Sequence, residues 1–212
     1  MAKVQHDHVD HPLERLMFFS DAVFAIAITL LVIEIEVPHL RSIDPQESWH
    51  ALGELLPSFG AYILSFAVIG RFWFAHHTAL GVMERHTPKL MWPNILLLMV
   101  VAFMPFATAY FAKNLQNLGA LEFYNMMLTL LAVASAYVVW IATAPENARP
   151  SLGEHERRTL RGRSIAVILV VLITLAASFF IRDGLSQLAL GFMPLVQSIV
   201  IRRYTSKLEP VA

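Results

Sequence analysis

The sequence predicts an all-α membrane protein with six membrane-spanning helices, and three observations carry that prediction. Of 212 residues, 57% are hydrophobic and only 15% charged, where a soluble domain usually carries about 25% charge. The apolar residues gather into windows of spanning length, roughly 20 residues each. The Lys and Arg residues, finally, alternate in density between successive connections, as they do in chains threaded through a bilayer.

The first span covers residues 16–37 and is interrupted by Asp21, Glu34 and Glu36. Its lack of Gly and Pro predicts one unbroken helix up to Pro38. The second, 55–74, carries Arg71 near its end, and Trp73, His76 and His77 follow where it emerges. Four windows are clean: 90–112, 123–145, 164–181 and 184–201. Pro105 and Pro194 fall inside two of them and predict kinks, which membrane bundles tolerate when neighbours satisfy the freed carbonyl. The longest polar stretch, 146–163, reads as a loop. The expected organisation is an N-terminal tail over 1–14, a single six-helix domain over 15–205 and a C-terminal tail over 206–212. The first 15 residues lack the basic start and short apolar core of a cleavable signal, so the first apolar segment is expected to stay in the mature protein.

If the N-terminus is inside, only Arg41, Lys113 and Arg182 lie outside, and the other thirteen of the sixteen basic residues lie inside. Both termini are therefore expected to be cytoplasmic. Six spans take about 120 residues, which leaves no room for a soluble catalytic domain. No enzyme signature of the HExxH or GxSxG kind is present, and an enzyme is not expected. Equal numbers of acidic and basic residues, sixteen each, offer no basic excess for nucleic acid. With no cysteine, disulfides and thiolate metal sites are excluded.

Asp21 lies six residues beyond Arg15, roughly 9 Å along a helix axis, inside the inner third of the membrane. A charge there needs a partner or water. The topology brings Arg71, Trp73, His76, His77 and the start of the third span at Asn94 to the same depth. Snorkelling and an aromatic belt account for Arg71 and Trp73 but not for Asp21 or His77. A buried network of Arg15, Ser20, Asp21, His77 and Asn94, locking the first helix to the next two, is the expected arrangement. On a wheel at about 100° per residue, Ile26, Leu30, Ile33 and Val37 fall in one stripe roughly 120° to 180° from Asp21. Thr29 flanks it. Ordinary packing, lipid contact and a pore wall all produce such a stripe, and spacing does not separate them.

The run Arg15-x-x-x-Phe19-Ser20-Asp21, followed by Ala-Val-Phe-Ala-Ile-Ala-Ile-Thr-Leu-Leu-Val, resembles the signature of the transmembrane protein 175 family of potassium channels. Leu64-Ser65-Phe66 through Arg71-Phe72-Trp73 to His76-His77, then Asn94 and Pro105-Phe106-Ala107-Thr108, is similar to the second and third helices of its prokaryotic members. The likeness covers about the first 110 residues. It implies a homotetramer with six helices per subunit around a central pore lined by the first helix. It also implies aliphatic rings at positions five, nine and twelve after the signature Asp, here Ile26, Leu30 and Ile33. Three of the four stripe residues are thus the implied pore constriction, and Thr29 matches a hydroxyl position tied to preference for potassium over sodium. Phe19, Ser20, Asp21, Trp73, His77 and Asn94, with Arg15, match the structural network. K+ and other monovalent cations are the implied permeant species, with no cofactor, in the cell (plasma/inner) membrane.

Ile26 rings of that kind would gate by dewetting, and no carbonyl filter is present, so weak selectivity is expected. Outside, Glu34, Glu36, Asp44, Glu47 and Glu54 face Arg41 alone, and Glu34, the deepest, is the best candidate for an outer vestibule that concentrates cations. His6, Asp7, His8, Asp10 and His11 carry donors for a metal but sit in a polar tail, and no metal site is assigned. The competing function is a proton-coupled or proton-conducting transporter in which Asp21 and His77 exchange protons. Transporters favour broken helices near the midplane, whereas the first span is unbroken.

Overall fold

A computed structural model describes residues 11–41, 44–180, 187, 190 and 192–205. Among them the chain forms seven helices: α1 (His11–Ile33), α2 (Pro45–Glu54), α3 (Leu56–Gly81), α4 (Pro88–Lys113), α5 (Leu118–Ala142), α6 (Glu154–Ser178) and α7 (Met193–Thr205). Five of these, α1, α3, α4, α5 and α6, are long and apolar enough to cross a membrane.

Local chemistry sets most of the boundaries. Asp44 caps α2 by accepting from the Gln46 amide at 3.0 Å, with Pro45 in the first turn, where a missing N–H costs nothing. Asn117 caps α5 by accepting from the Ala120 amide. α6 opens with Glu154 and Glu156 in its first turn, where carboxylates meet the positive end of the helix dipole. Arg157 and Arg158 hydrogen-bond Glu154 at 3.0 and 2.9 Å, one helical turn away.

Several expectations need correction. α1 stops at Ile33 rather than running to Pro38, because Glu34 begins a turn closed by the Ile35 amide on the Val32 carbonyl; Val37 therefore lies outside the helical stripe. The stretch 154–163, read as loop, is the first two and a half turns of α6, held by those Arg–Glu pairs. The connection between α1 and α3 contains a helix, α2, that no span called for. Pro194 is the second residue of α7 rather than an interior kink, so its missing N–H disturbs nothing. Helix is described in the sixth window only from residue 193 onward, and α7 has 13 residues. The rest of that window (184–186, 188, 189 and 191), most of the N-terminal tail with His6, Asp7, His8 and Asp10, the C-terminal tail over 206–212, and Lys3, Arg182 and Lys207 lie outside the described residues.

α4 and α5 form the centre, with Leu97, Val101, Met104, Leu121, Leu128 and Leu131 fully buried. α1 packs on α3 and α4, and α6 packs on α5 and α7. At one end the α3–α4 and α5–α6 connections are stapled together. The Arg149 amide donates to the Val82 carbonyl at 2.9 Å and the Glu84 amide to the Asn147 carbonyl at 3.0 Å. Beside this staple Arg161 Nε donates to Thr143 Oγ1 at 2.9 Å while its guanidinium lies 4.5 Å from the centre of the Trp140 ring. Among the described residues Arg85, Arg149, Arg157, Arg158 and Arg161 lie in or beside these two connections.

Candidate functional site

The buried face of α1 is formed by Leu13, Leu16, Ser20, Phe24, Ala27 and Leu31, spaced three or four apart as one helix face requires. Ser20 is the polar member of that series. Its hydroxyl donates to the Leu16 carbonyl at 2.8 Å, and its oxygen accepts from Asn94 Nδ2 at 3.0 Å. The other end of the same amide, Asn94 Oδ1, lies 2.7 Å from His76 Nε2. Ser20, Asn94 and His76 are all at or near full burial, so one carboxamide ties α1, α4 and α3 together. An interhelical polar contact in a membrane bundle contributes about 1 kcal/mol. Breaking it leaves a partner unsatisfied, which costs more. Phe24 packs its ring against His76, centroid to centroid at 5.5 Å.

Asp21, one residue on, points to the flank of α1 and makes a second, wetter set of contacts. Trp73 Nε1 donates to Asp21 Oδ1 at 2.8 Å, and His77 Nδ1 stands 3.7 Å from Asp21 Oδ2. The Trp73 and His77 rings lie 5.6 Å apart. His77 is half exposed and Asp21 one-third exposed, so this carboxylate is partnered and still partly open.

The expected cluster is thus two adjacent arrangements, one dry and one wet. Ser20, Asp21, Trp73, His77 and Asn94 come together; Arg15 does not. It is exposed and makes no contact with either set among the described residues. Phe19 is also exposed. His76, not assigned to the network by the sequence reading, is its most buried member. A signal for it existed: Ala61, Ser65, Ile69, Phe72 and His76 are spaced four, four, three and four apart and form the buried face of α3. A second polar junction was also missed. On the opposite side of the bundle's middle, Ser65 Oγ lies 2.9 Å from both the Tyr124 hydroxyl and Thr108 Oγ1, joining α3, α5 and α4.

The rest of α1 is open. Ile26 is 58% exposed, Leu30 41% and Ile33 72%, and Thr29 beside them is exposed, its hydroxyl donating to the Ile26 carbonyl at 2.9 Å. Beyond the C-terminal end of α1, Glu36 pairs with Lys113 of α4 at 2.7 Å, and that contact holds the Glu36 carboxyl below its ordinary range. Asp44 is occupied capping α2, Glu47 accepts from the Arg41 amide at 2.7 Å, and Glu54 faces His50 at 3.4 Å. Glu34 is exposed and forms no ion pair among the described residues. No group of three or more His, Asp or Glu able to hold a metal occurs among the described residues.

The sequence model of the family described as endosomal/lysosomal potassium channel TMEM175 matches residues 15–105, the stretch that builds both polar arrangements. A potassium channel of Streptomyces collinus is 41% identical over 133 residues, covering 61% of this chain and 64% of its own length. A potassium channel of a Chryseobacterium species is 31% identical over 185 residues, covering 87% of this chain and 90% of its own. The chicken protein named endosomal/lysosomal proton channel TMEM175 is 30% identical over 210 residues, and this chain spans 39% of its length. Among solved structures, a lysosomal potassium-selective channel TMEM175 homolog from Chamaesiphon minutus superposes with a TM-score of 0.73 at 30% identity, over 91% of this chain and 98% of that one.

Proposed function

The chain belongs to the TMEM175 family of ion channels, and from that premise we propose that it is a potassium channel of the cell membrane, assembled as a homotetramer around the first helices. The observation that carries the reading is the division of α1 into two faces. Ser20 and the apolar residues in register with it are buried against α3 and α4, while Ile26, Thr29, Leu30 and Ile33 stand exposed on a helix that is otherwise anchored. A patch of large aliphatic side chains calls for a cover, from lipid or from another protein surface. Four copies facing one axis would cover one another and leave a narrow apolar neck.

In this reading each subunit has six spans, the sixth containing α7, and both termini lie in the cytoplasm. Ile26, Leu30 and Ile33 form a constriction that conducts when the first helices part and ions carry their water through. Thr29 supplies a ring of hydroxyl oxygens one step from Leu30 and sets a modest preference for potassium over sodium. Ser20, Asn94 and His76 hold the inner half of α1 against the subunit body, so that motion of the neck is hinged on a fixed base. Glu34 is an acid of the outer mouth that forms no ion pair among the described residues, and a ring of four would raise the local cation concentration.

The alternative, proton conduction or proton coupling through Asp21 and His77, is favoured by one observation: the two groups face each other at 3.7 Å and both are partly exposed. The chicken relative's name adds to it.

Cation flux through the purified protein in liposomes, under opposed potassium and sodium gradients, tests the reading with Ile26→Asn beside the parent. Potassium-favouring flux that rises several-fold in the variant is expected. Equal flux in parent and variant, both folded and assembled, would remove the neck from Ile26. Proton flux without potassium flux would bring the alternative forward.

A further inference from the structure

Between α3, α5, α6 and α7, beside the C-terminal half of α3 and the N-terminal half of α6, lies a cavity of about 380 Å³. Its wall is mainly apolar, with Leu64 and Val68 from α3, Ala136 from α5 and Val167 from α6. Two guanidiniums line the same cavity, Arg71 from α3 and Arg163 from α6, and no Asp or Glu lines it. Neither arginine forms an ion pair or hydrogen bond among the described residues. Gln197 of α7 lines it as well, and its amide Nε2 is buried with no hydrogen-bond partner.

Two like charges facing one largely apolar cavity favour an anion between them, because a cation beside an apolar wall is stabilised when it is paired as well as hydrated. The depth of the pair identifies the kind of anion. Arg163 is the last charged residue before the apolar run of α6, which puts it at the membrane surface. Leu64 lies seven residues outward from Arg71 along α3, about 10 Å deeper into the hydrocarbon. The cavity therefore has a cationic rim at headgroup level and an apolar wall below it.

We propose that this cavity is a binding site for one anionic phospholipid. The phosphate sits between Arg71 and Arg163, whose planar guanidiniums match its oxygens. The Gln197 amide donates to a phosphate or ester oxygen, and one acyl chain lies along Leu64, Val68 and Val167. A free phosphate would satisfy the arginines and have no use for the apolar wall. A neutral lipid would use the wall and leave two cations without a counter-charge. Basic pockets between spanning helices on the cytoplasmic side recognise anionic headgroups on the same physical grounds.

Native mass spectrometry of the detergent-solubilised protein tests this with three probes at equal concentration: phosphatidylglycerol, phosphatidylcholine and inorganic phosphate. The parent should retain phosphatidylglycerol in preference to phosphatidylcholine, and inorganic phosphate should not displace it. R71Q/R163Q should lose that preference about tenfold, the scale of a lost charge-assisted contact. Ala67→Trp, at an exposed position lining the cavity, should weaken retention while leaving both arginines in place. Equal retention of the two lipids by the parent would overturn the proposal, as would unchanged retention in a folded Ala67→Trp protein. Displacement by inorganic phosphate would overturn it in favour of a free-anion site.

Discussion

Asn94 donates to Ser20 across 3.0 Å, through an amide whose oxygen lies 2.7 Å from His76. A single carboxamide therefore decides how the first helix sits on the third and fourth. Its two ends are chemically different, so the junction demands an acceptor on α1 and a ring nitrogen on α3.

Asn94→Leu, close to Asn94 in size, removes both contacts and strands Ser20 and His76 in the core. The loss should be about 1–3 kcal/mol, read as a lower unfolding midpoint of the assembled protein in detergent. Ser20→Ala alone should cost less, since Asn94 keeps His76. A double-mutant cycle between positions 20 and 94 measures the coupling, and additive effects would show that the contact does not hold the helices.

Asp21→Asn keeps an oxygen to accept from Trp73 and removes the charge facing His77. With the potassium-channel reading, the variant assembles and still passes potassium in liposomes. Loss of a proton flux present in the parent, with assembly intact, would instead assign Asp21 and His77 to proton movement. Failure to assemble would mark the carboxylate as structural.

Thr29→Val replaces a hydroxyl by a methyl of nearly the same volume and leaves the helix intact, because the Ile26 carbonyl loses only a secondary donor. The ratio of potassium to sodium flux should fall toward unity with total flux largely kept. An unchanged ratio would take the hydroxyl ring out of selectivity.

Glu36 is held below its ordinary value of 4.5 by the hydrogen bond and charge of Lys113. Its contribution to the tether between α4 and the segment that follows α1 is therefore fully present above about pH 4.5 and is lost as the pH falls through the depressed value. Lys113→Gln should move the carboxyl midpoint upward, followed by infrared spectroscopy of the carboxylate band in bilayers. A midpoint that stays put would mean the pair does not persist in a membrane.

The sequence by itself determined the class of the molecule and the positions of its charges along the apolar segments. Bilayer thickness sets a length that apolar windows must meet, so the spans now seen as α1 and α3 through α6 were legible, and so was the shared depth of Asp21, Trp73, His77 and Asn94. Which polar groups face each other was not legible, because a single step of about 100° along a helix separates buried from exposed positions. His76 and His77 differ by one residue and go to different partners, Asn94 and Asp21. Arg15 shares their depth but not their face. Local pairing of Arg157 and Arg158 with Glu154 turned an expected loop into helix, and a capping Asp44 built α2 where a connection alone was expected. Tertiary structure also decided that Arg71 and Arg163, 92 positions apart in the chain, line one cavity. Hydropathy reports how deep a residue sits, and only the packing of one helix against another reports which way it faces.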